Sequence, residues 1–478
     1  MNLPDAQVYS RNILRLPPRG PDAVGTDHRY PLPKVVLLKK STISNLQSTI
    51  LHVPMSSPDL TDAEREAVAA VLRTPNLSMG DEIRGFEDAF RTFTGCKHAI
   101  GVNSGTAGLH LCVRAAGITD GDLVITTPFS FVASANVLLF ERAVPVFVDV
   151  DPKTGNIDPT QVEAAAADLA EGGGTGTRWL PRRGASPDAR LRAILPVDVF
   201  GQPADLDPIL ATARRYGLKV IEDSCEALGA EYRGRKAGTL GDYGVFAFYP
   251  NKQITTGEGG CIVTNDDQAA SMMMALRNQG RAPGDTWLQH TYLGYNYRLD
   301  EMSAALGRVQ MGRLAELMAR REQVAGWYAE RLAEIPAVER WPVPPLPQLR
   351  TPTERCSVPP LTVLPGTTRA SWFVYVVRFA PHVDRDALAQ KLGGRGVPAR
   401  PYFLPIHLQP YMAERFGYQE GDFPVTEELG RRGLALPFSG VMTEAQVEYV
   451  CRVLFDILGV IDEYQNVDQG STDHSPHQ

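Results

Sequence analysis

The chain has 478 residues, of which 43% are hydrophobic and 22% charged, with a formal net charge of −7 and a pI near 5.8. That length exceeds one ordinary core and predicts two domains with appendages, while the negative balance argues against nucleic acid or an anionic membrane as partner. Six cysteines (Cys96, Cys112, Cys225, Cys261, Cys356, Cys451) without a Cys-x-x-Cys pair read as reduced thiols, and no apolar run reaches membrane-spanning length, so a cytoplasmic protein without a secretory leader is expected.

Residues 1–50 are rich in Pro, Arg and polar residues, and read as a disordered arm, a partner-wrapping segment or an overextended translation start. Thr61 as cap and Glu64 three residues later predict a helix start, with Ala67, Val68, Val71 and Leu72 on one apolar face. Short apolar strands are expected near 98–102, 123–127, 145–150, 192–197, 218–222, 244–248 and 260–264. Helical patterns between most of them predict a mostly parallel seven-stranded sheet covered on both faces. Residues 171–190, three glycines and then Arg-Arg-Gly-Ala-Ser-Pro, read as a surface-loop insertion. One long helix is expected from Glu301 to about Ile335, with Leu306, Val309, Met311, Leu314 and Leu317 as its buried stripe. Eight prolines between 342 and 365 exclude regular helix there. Trp372–Phe379 reads as a strand, and amphipathic helices are expected near 424–434 and 443–458. The division is then an extension at 1–50, a large domain at 51–310, a smaller C-terminal α+β domain at 311–460 and a polar tail at 461–478, with disorder expected from Val467 to Gln478.

The chemistry gathers around 242–263. An apolar run, Gly244 to Phe248, ends at Pro250; Lys252 follows in a polar turn, and a second apolar run begins at Gly260. A lysine on a short loop between two strands is open to partial desolvation, which frees a neutral amine to attack an aldehyde. Upstream, Asp223 closes the strand Leu218–Asp223, where an α/β sheet presents groups to a ligand. An amine of this kind and an acid able to keep a pyridinium nitrogen protonated are what pyridoxal phosphate (PLP) chemistry requires. Further upstream, Asn103-Ser104-Gly105-Thr106 lies between a strand and a helical pattern, a place where backbone N–H groups meet phosphate. Competing motifs fail: Gly229 and Gly234 have P-loop spacing but lack the Lys-Ser/Thr that should follow, no Gly-x-Gly-x-x-Gly follows a strand, and no metal-ligand cluster is seen.

These stretches, together with Pro145-Val-Phe-Val-Asp-Val-Asp151, Thr256-Gly-Glu-Gly-Gly260, Gly294-Tyr-Asn-Tyr-Arg298 and Pro405-Ile-His407, resemble the DegT/StrS-type PLP-dependent nucleotide-sugar aminotransferases, of the fold-type I (aspartate aminotransferase) architecture, from about Val53 to Leu458. The resemblance implies that Lys252 bonds covalently to PLP and later moves the proton, and that Asp223 pairs with the pyridinium nitrogen. It implies that Ser104, Gly105 and Thr106 cradle the phosphate, that Phe131 stacks on the ring, and that Asn296 reaches the phosphate from the neighbouring subunit of a homodimer with shared sites. Where many relatives carry Gln beside the phenolic oxygen this chain has Glu226, and where many carry a phosphate-binding Ser it has Ala247. Arg400, Tyr402 and His407 are expected near the sugar, although a histidine between Pro-Ile and Leu is equally compatible with packing. The activity implied is amino transfer from an amino acid, L-glutamate, to a nucleotide-linked keto-sugar, a 4-keto-6-deoxyhexose, in deoxyaminosugar or surface polysaccharide synthesis. The alternatives are a 3-keto sugar or cyclitol ketone as acceptor, a PLP-binding regulator without turnover, and a dehydratase, which Lys252 disfavours because dehydratase relatives carry histidine there.

Overall fold

The computed structural model describes residues 51–171, 176–186, 188–333, 335, 337–340 and 366–469. The expectations for residues 1–50, for the proline-rich 342–365 and for 470–478 lie outside these residues. In chain order the first strands are β1 (His98–Val102), β2 (Leu123–Thr126), β3 (Val144–Phe147), β4 (Leu191–Leu195), β5 (Lys219–Asp223), the short hairpin β6 (Glu231–Tyr232) and β7 (Arg235–Lys236), β8 (Tyr243–Ala247) and β9 (Gly260–Thr264). Seven of them form one sheet in the order β1-β9-β8-β5-β4-β2-β3. Pairing is parallel from β8 across to β3 and antiparallel only where β9 meets β8 and β1.

Alternation along the strands explains both covered faces. Val124, Ala193, Ile221, Val245 and Ile262 point to one side, into a core with the helices α3 (Gly105–Ala115) and α4 (Ala133–Phe140). Their neighbours Ile125, Ile194 and Val220 point to the other side, against α5 (Pro159–Glu171) and α6 (Leu206–Tyr216). Phe246, Cys261 and Val263 share that second side with Ile83, Phe86 and Phe90. A strand buried on both faces has no polar alternation, which is why these segments read as short continuous apolar runs.

A second, smaller sheet joins β10 (Val338–Arg340), β12 (Tyr375–Phe379), β14 (Gly433–Leu436) and β13 (Arg400–Pro401), in that order and all antiparallel. Its core includes Val324, Tyr328, Leu388, Val450 and Leu454. The strand expected at Trp372–Phe379 therefore pairs only from Tyr375. A further strand, β11 (Thr367–Arg369), pairs with β6 of the short hairpin. Met412, Phe416 and Tyr418 also pack into the α5–α6 core of the seven-stranded sheet. Within residues 176–186, Trp179 donates to Asp168 at 2.6 Å, and the Arg182 guanidinium engages both oxygens of Asp422, at 2.5 and 2.7 Å. The final helix runs from Glu444 to Gln469, past the expected end near 458.

The long helix expected from Glu301 is two, Glu301–Gly312 and Leu314–Leu332, parted at Arg313, whose φ of −100° and ψ of 2° leave the helical region. The apolar stripe crosses the break, because Met311, Leu314 and Leu317 share one core, and so the pattern gives no sign of it. Arg313 instead turns its guanidinium to Glu64 at 2.7 Å and Asp59 at 2.9 Å. Burial opposes ionisation of Glu64, but donors from Thr61, Arg313 and Gln310 outweigh it and hold its carboxyl down at about 2. That contribution to stability is present above the ordinary carboxylate range and is lost as pH falls through about 2. Removing one member of a buried pair strands the other, so Arg313→Ala is expected to lower stability by about 3–5 kcal/mol, read as a lower urea midpoint at neutral pH.

Candidate active site

A cleft of about 440 Å³ opens at the carboxyl edge of β5 and β8. Its walls include Ser104, Gly105, Thr106, Phe131, Asp223, Glu226, Lys252 and Tyr402, so the fold gathers residues from Ser104 to Tyr402 of the sequence. Each arrives for a local reason. The β8–β9 pairing runs to Ala247 opposite Gly260, which closes the loop between them at its base. Phe248 N–H donates to Gly259 O and Thr256 N–H to Phe248 O, at 3.0 and 3.1 Å, leaving Lys252 on a small, fixed loop. Its ammonium nitrogen lies 3.8 Å from Glu226 Oε1 and 3.8 Å from the centre of the Phe373 ring.

Asp223 ends β5 and is 5% exposed. Its Oδ2 accepts from the Ser134 hydroxyl at 2.7 Å and its Oδ1 from Cys225 N–H at 3.2 Å, which fixes the carboxylate plane. Burial raises the Glu226 carboxyl above the usual range, against the pull of the Lys252 ammonium and of Phe200 N–H, which donates to its Oε2 at 2.9 Å. Tyr402 is pushed up to about 12, by burial first and then by the nearby Glu226. The phenol therefore stays protonated and able to donate at neutral pH.

Ser104 caps α3, its hydroxyl accepting from Ala107 N–H at 3.0 Å. The N–H groups of Gly105 and Thr106 have no acceptor among the described residues and stand at the positive end of that helix. A side chain at 105 is excluded: its Cβ would sit 2.7 Å from Ala247 Cβ and 2.9 Å from Cys225 Sγ. The ring of Phe131 is 65% exposed at the cleft wall rather than packed in a core.

Arg400, Asn296 and His407 do not line this cleft. Arg400 and Tyr402 line an adjoining lobe of about 390 Å³, together with Met55, Ser56, Tyr249 and Asn251. Of the two, only Tyr402 also touches the first lobe. Asn296 is exposed and does not line the cleft of its own chain. His407 is not brought to either lobe. It is wholly buried, 3.0 Å from Glu427 Oε1, with its ring against Phe423 at 4.8 Å. Burial lowers the imidazole below the ordinary histidine range, so the folded chain prefers it neutral. Stability from this site is present above the unfolded histidine pKa of about 6.5 and is lost as pH falls below it. Replacement by Gln is expected to reduce the drop in Tm between pH 7 and pH 5, measured by calorimetry; an unchanged drop would refute this.

Sequence reasoning missed Ser134, Phe373, Gln253 and Arg321. Ser134 is only three residues beyond Phe131, a signal that was within reach. The others depend on distant segments. Arg321 is 4% exposed and donates to Asn251 O at 3.1 Å, to Lys252 O, and to Trp372 O and Phe373 O, both at 3.2 Å. Gln253 donates to Glu226 O at 2.6 Å and to the Ser371 hydroxyl at 2.7 Å. The lysine loop and the 371–373 segment are thus bonded into one unit.

These residues fit PLP. Two unpaired N–H groups at a helix start suit its phosphate, an exposed ring its pyridine face, a held carboxylate its ring nitrogen and an amine its aldehyde. Sheet and cleft together define the class: a fold-type I PLP-dependent aminotransferase. The profile of the DegT/DnrJ/EryC1/StrS aminotransferase family matches residues 58–455, and the chain belongs to that family. GDP-perosamine synthase of Caulobacter vibrioides is 37% identical over 414 residues, covering 86% of this chain and 100% of the relative. The spore coat polysaccharide biosynthesis protein SpsC of Bacillus subtilis is 32% identical over 419 residues, 85% of this chain and 97% of the relative. Among solved structures, DesV of S. venezuelae superposes with a TM-score of 0.70 at 31% identity, over 85% of this chain and 98% of that one. No helix among the described residues is long and apolar enough to cross a membrane.

Proposed function

We propose that the chain transfers an amino group from L-glutamate to a nucleotide-linked 4-keto-6-deoxyhexose, as a homodimer whose two sites are shared. The observation that carries this reading is the second lobe. It continues the cofactor lobe past Tyr249, Asn251, Phe373 and Tyr402, and adds about 390 Å³ that an amino acid alone leaves unfilled. Arg400 in that lobe offers a planar cation suited to a diphosphate. The relative from Caulobacter vibrioides supports the same reading, since its name joins guanosine diphosphate to an amino sugar.

When bound, PLP supplies an aldehyde and a ring that absorbs the negative charge developing at the donor's α-carbon. Lys252 Nζ is the amine that would hold that aldehyde. The same amine, kept in place by Glu226 and the Phe373 ring, would take the donor's α-proton. Asp223 would keep the ring nitrogen protonated, and Phe131 would cover one face of the ring. Shared sites are supported by the outward Asn296 and by the apolar surface close to it in sequence, where Trp287, Leu288 and Leu293 are 76%, 84% and 82% exposed.

The test is incubation with ¹⁵N-glutamate and nucleoside diphosphate 4-keto-6-deoxyhexoses, with mass spectrometry of the product. One ¹⁵N in a nucleotide sugar is the expected result, and Arg400→Ala should raise KM for the sugar by about 10- to 100-fold with kcat little changed. Label appearing only in a free cyclitol, a deoxygenated sugar without label, or no turnover with any donor would each overturn the reading.

A further inference from the structure

Asn296 lies between two tyrosines on an extended segment that bridges to Asn278 and, through Arg298, to Val102. Alternation there sends the side chains of 295 and 297 to one side and that of 296 to the other. The tyrosine side holds a buried polar network that no step above uses. The Tyr297 hydroxyl is 3.1 Å from His110 Nδ1, and His110 Nε2 is 2.8 Å from Glu141 Oε1. The Tyr295 hydroxyl donates to that same oxygen at 3.2 Å, and Arg114 donates to Glu141 Oε2 at 2.8 Å.

The protonation pattern of the network follows from its surroundings. His110 is 3% exposed, and burial, opposed by Glu141, keeps its imidazole below the usual range and so neutral. With Nε2–H donating to the carboxylate, Nδ1 remains to accept the Tyr297 proton, and each hydroxyl and ring nitrogen of this network has a partner. The two tyrosine rings stack at 4.9 Å with planes 11° apart. Apolar packing of phenylalanines at 295 and 297 would bury as much surface and permit several rotamers; a satisfied polar network permits one. On the other side, Asn296 is exposed and its side chain makes no hydrogen bond among the described residues.

We propose that His110, Glu141, Tyr295 and Tyr297 are positioning residues that aim Asn296 out of its own chain at the cofactor phosphate of a second copy. This rests on the shared-site reading above. His110 also sits on α3, whose first turn offers Gly105 and Thr106 N–H to the phosphate of its own chain. One helix thereby registers both halves of a phosphate site, one in each chain.

The distinguishing property is that the network acts in trans. Glu141→Gln, and as a gentler change Tyr297→Phe, should weaken PLP binding about tenfold, the loss expected when one hydrogen bond to a charged group is misaligned. Binding is read as the PLP concentration giving half-maximal borohydride-trapped mass on the Lys252-bearing chain. In doubly tagged heterodimers with a Lys252→Ala chain, the only lysine-bearing site receives its Asn296 from a chain with an intact network. Its midpoint should return to the wild-type value. A midpoint as weak as in the variant homodimer places the defect in cis and overturns the proposal. The control pairs Asn296→Ala with Lys252→Ala: if restoration occurs there but not with the network variants, the shared site stands and the network role falls. If the control also fails to restore, the shared-site reading falls and takes the proposal with it.

Discussion

Lys252→Ala is expected to abolish amino transfer, with kcat falling by at least about 10⁴-fold. The side chain is asked to be both nucleophile and proton carrier, and one positioned acid–base group alone supplies about 10²–10⁴. Its surroundings leave no understudy. Among the described residues lining the first lobe no other lysine is present, and Cys225 there has a thiol pushed well up by burial, away from the reactive thiolate. The measurement pairs single-turnover assays with borohydride trapping and mass spectrometry. Wild type should gain one phosphopyridoxyl group on Lys252, and the variant none, while circular dichroism remains unchanged. Turnover above about 1% of wild type in a folded variant would remove Lys252 from the chemistry.

Asp223→Asn is expected to lower kcat by about 10²- to 10⁴-fold while leaving PLP bound. The amide has the same shape and keeps one acceptor for the Ser134 hydroxyl, which donates to Asp223 at 2.7 Å. The missing part is the charge that holds a proton on the ring nitrogen. A cofactor methylated at that nitrogen carries the positive charge permanently, so reconstitution with N-methyl-PLP should recover much of the lost rate in the variant and little in wild type. Equal response of both proteins to the methylated cofactor would show that Asp223 serves another purpose.

The strands were legible because each is buried on both faces and so appears as an uninterrupted apolar run with Gly, Pro or a charge at its end. Lys252 and Asp223 could be found because each sits within a few residues of such a strand end. The adjacency of β1 and β9 could not be read, since nothing local to His98–Val102 names a neighbour more than 150 residues on. The break at Arg313 was hidden because an apolar stripe reports which face is buried and says nothing about the continuity of the backbone. His407 shows the same limit for a polar residue, as its neighbours Pro405, Ile406 and Leu408 suit a buried turn as well as a cleft. Arg321 and Phe373 were invisible for a further reason: they act on the lysine from 69 and 121 positions away, through backbone carbonyls and a ring face that any sequence supplies.

The bonds from Arg321 and Gln253 have a mechanical consequence. A hinge that parted the lysine loop from the 371–373 segment would leave a buried guanidinium facing empty space, after breaking contacts worth about 1.5–3 kcal/mol apiece. The lysine loop and the 371–373 segment therefore do not work as jaws about the cleft. Traffic into the cleft then falls to the exposed ring at its rim that the cofactor does not claim, Tyr249, 54% open to solvent. Rotation of exposed side chains takes picoseconds to nanoseconds, so the door to this site moves far faster than the chemistry behind it.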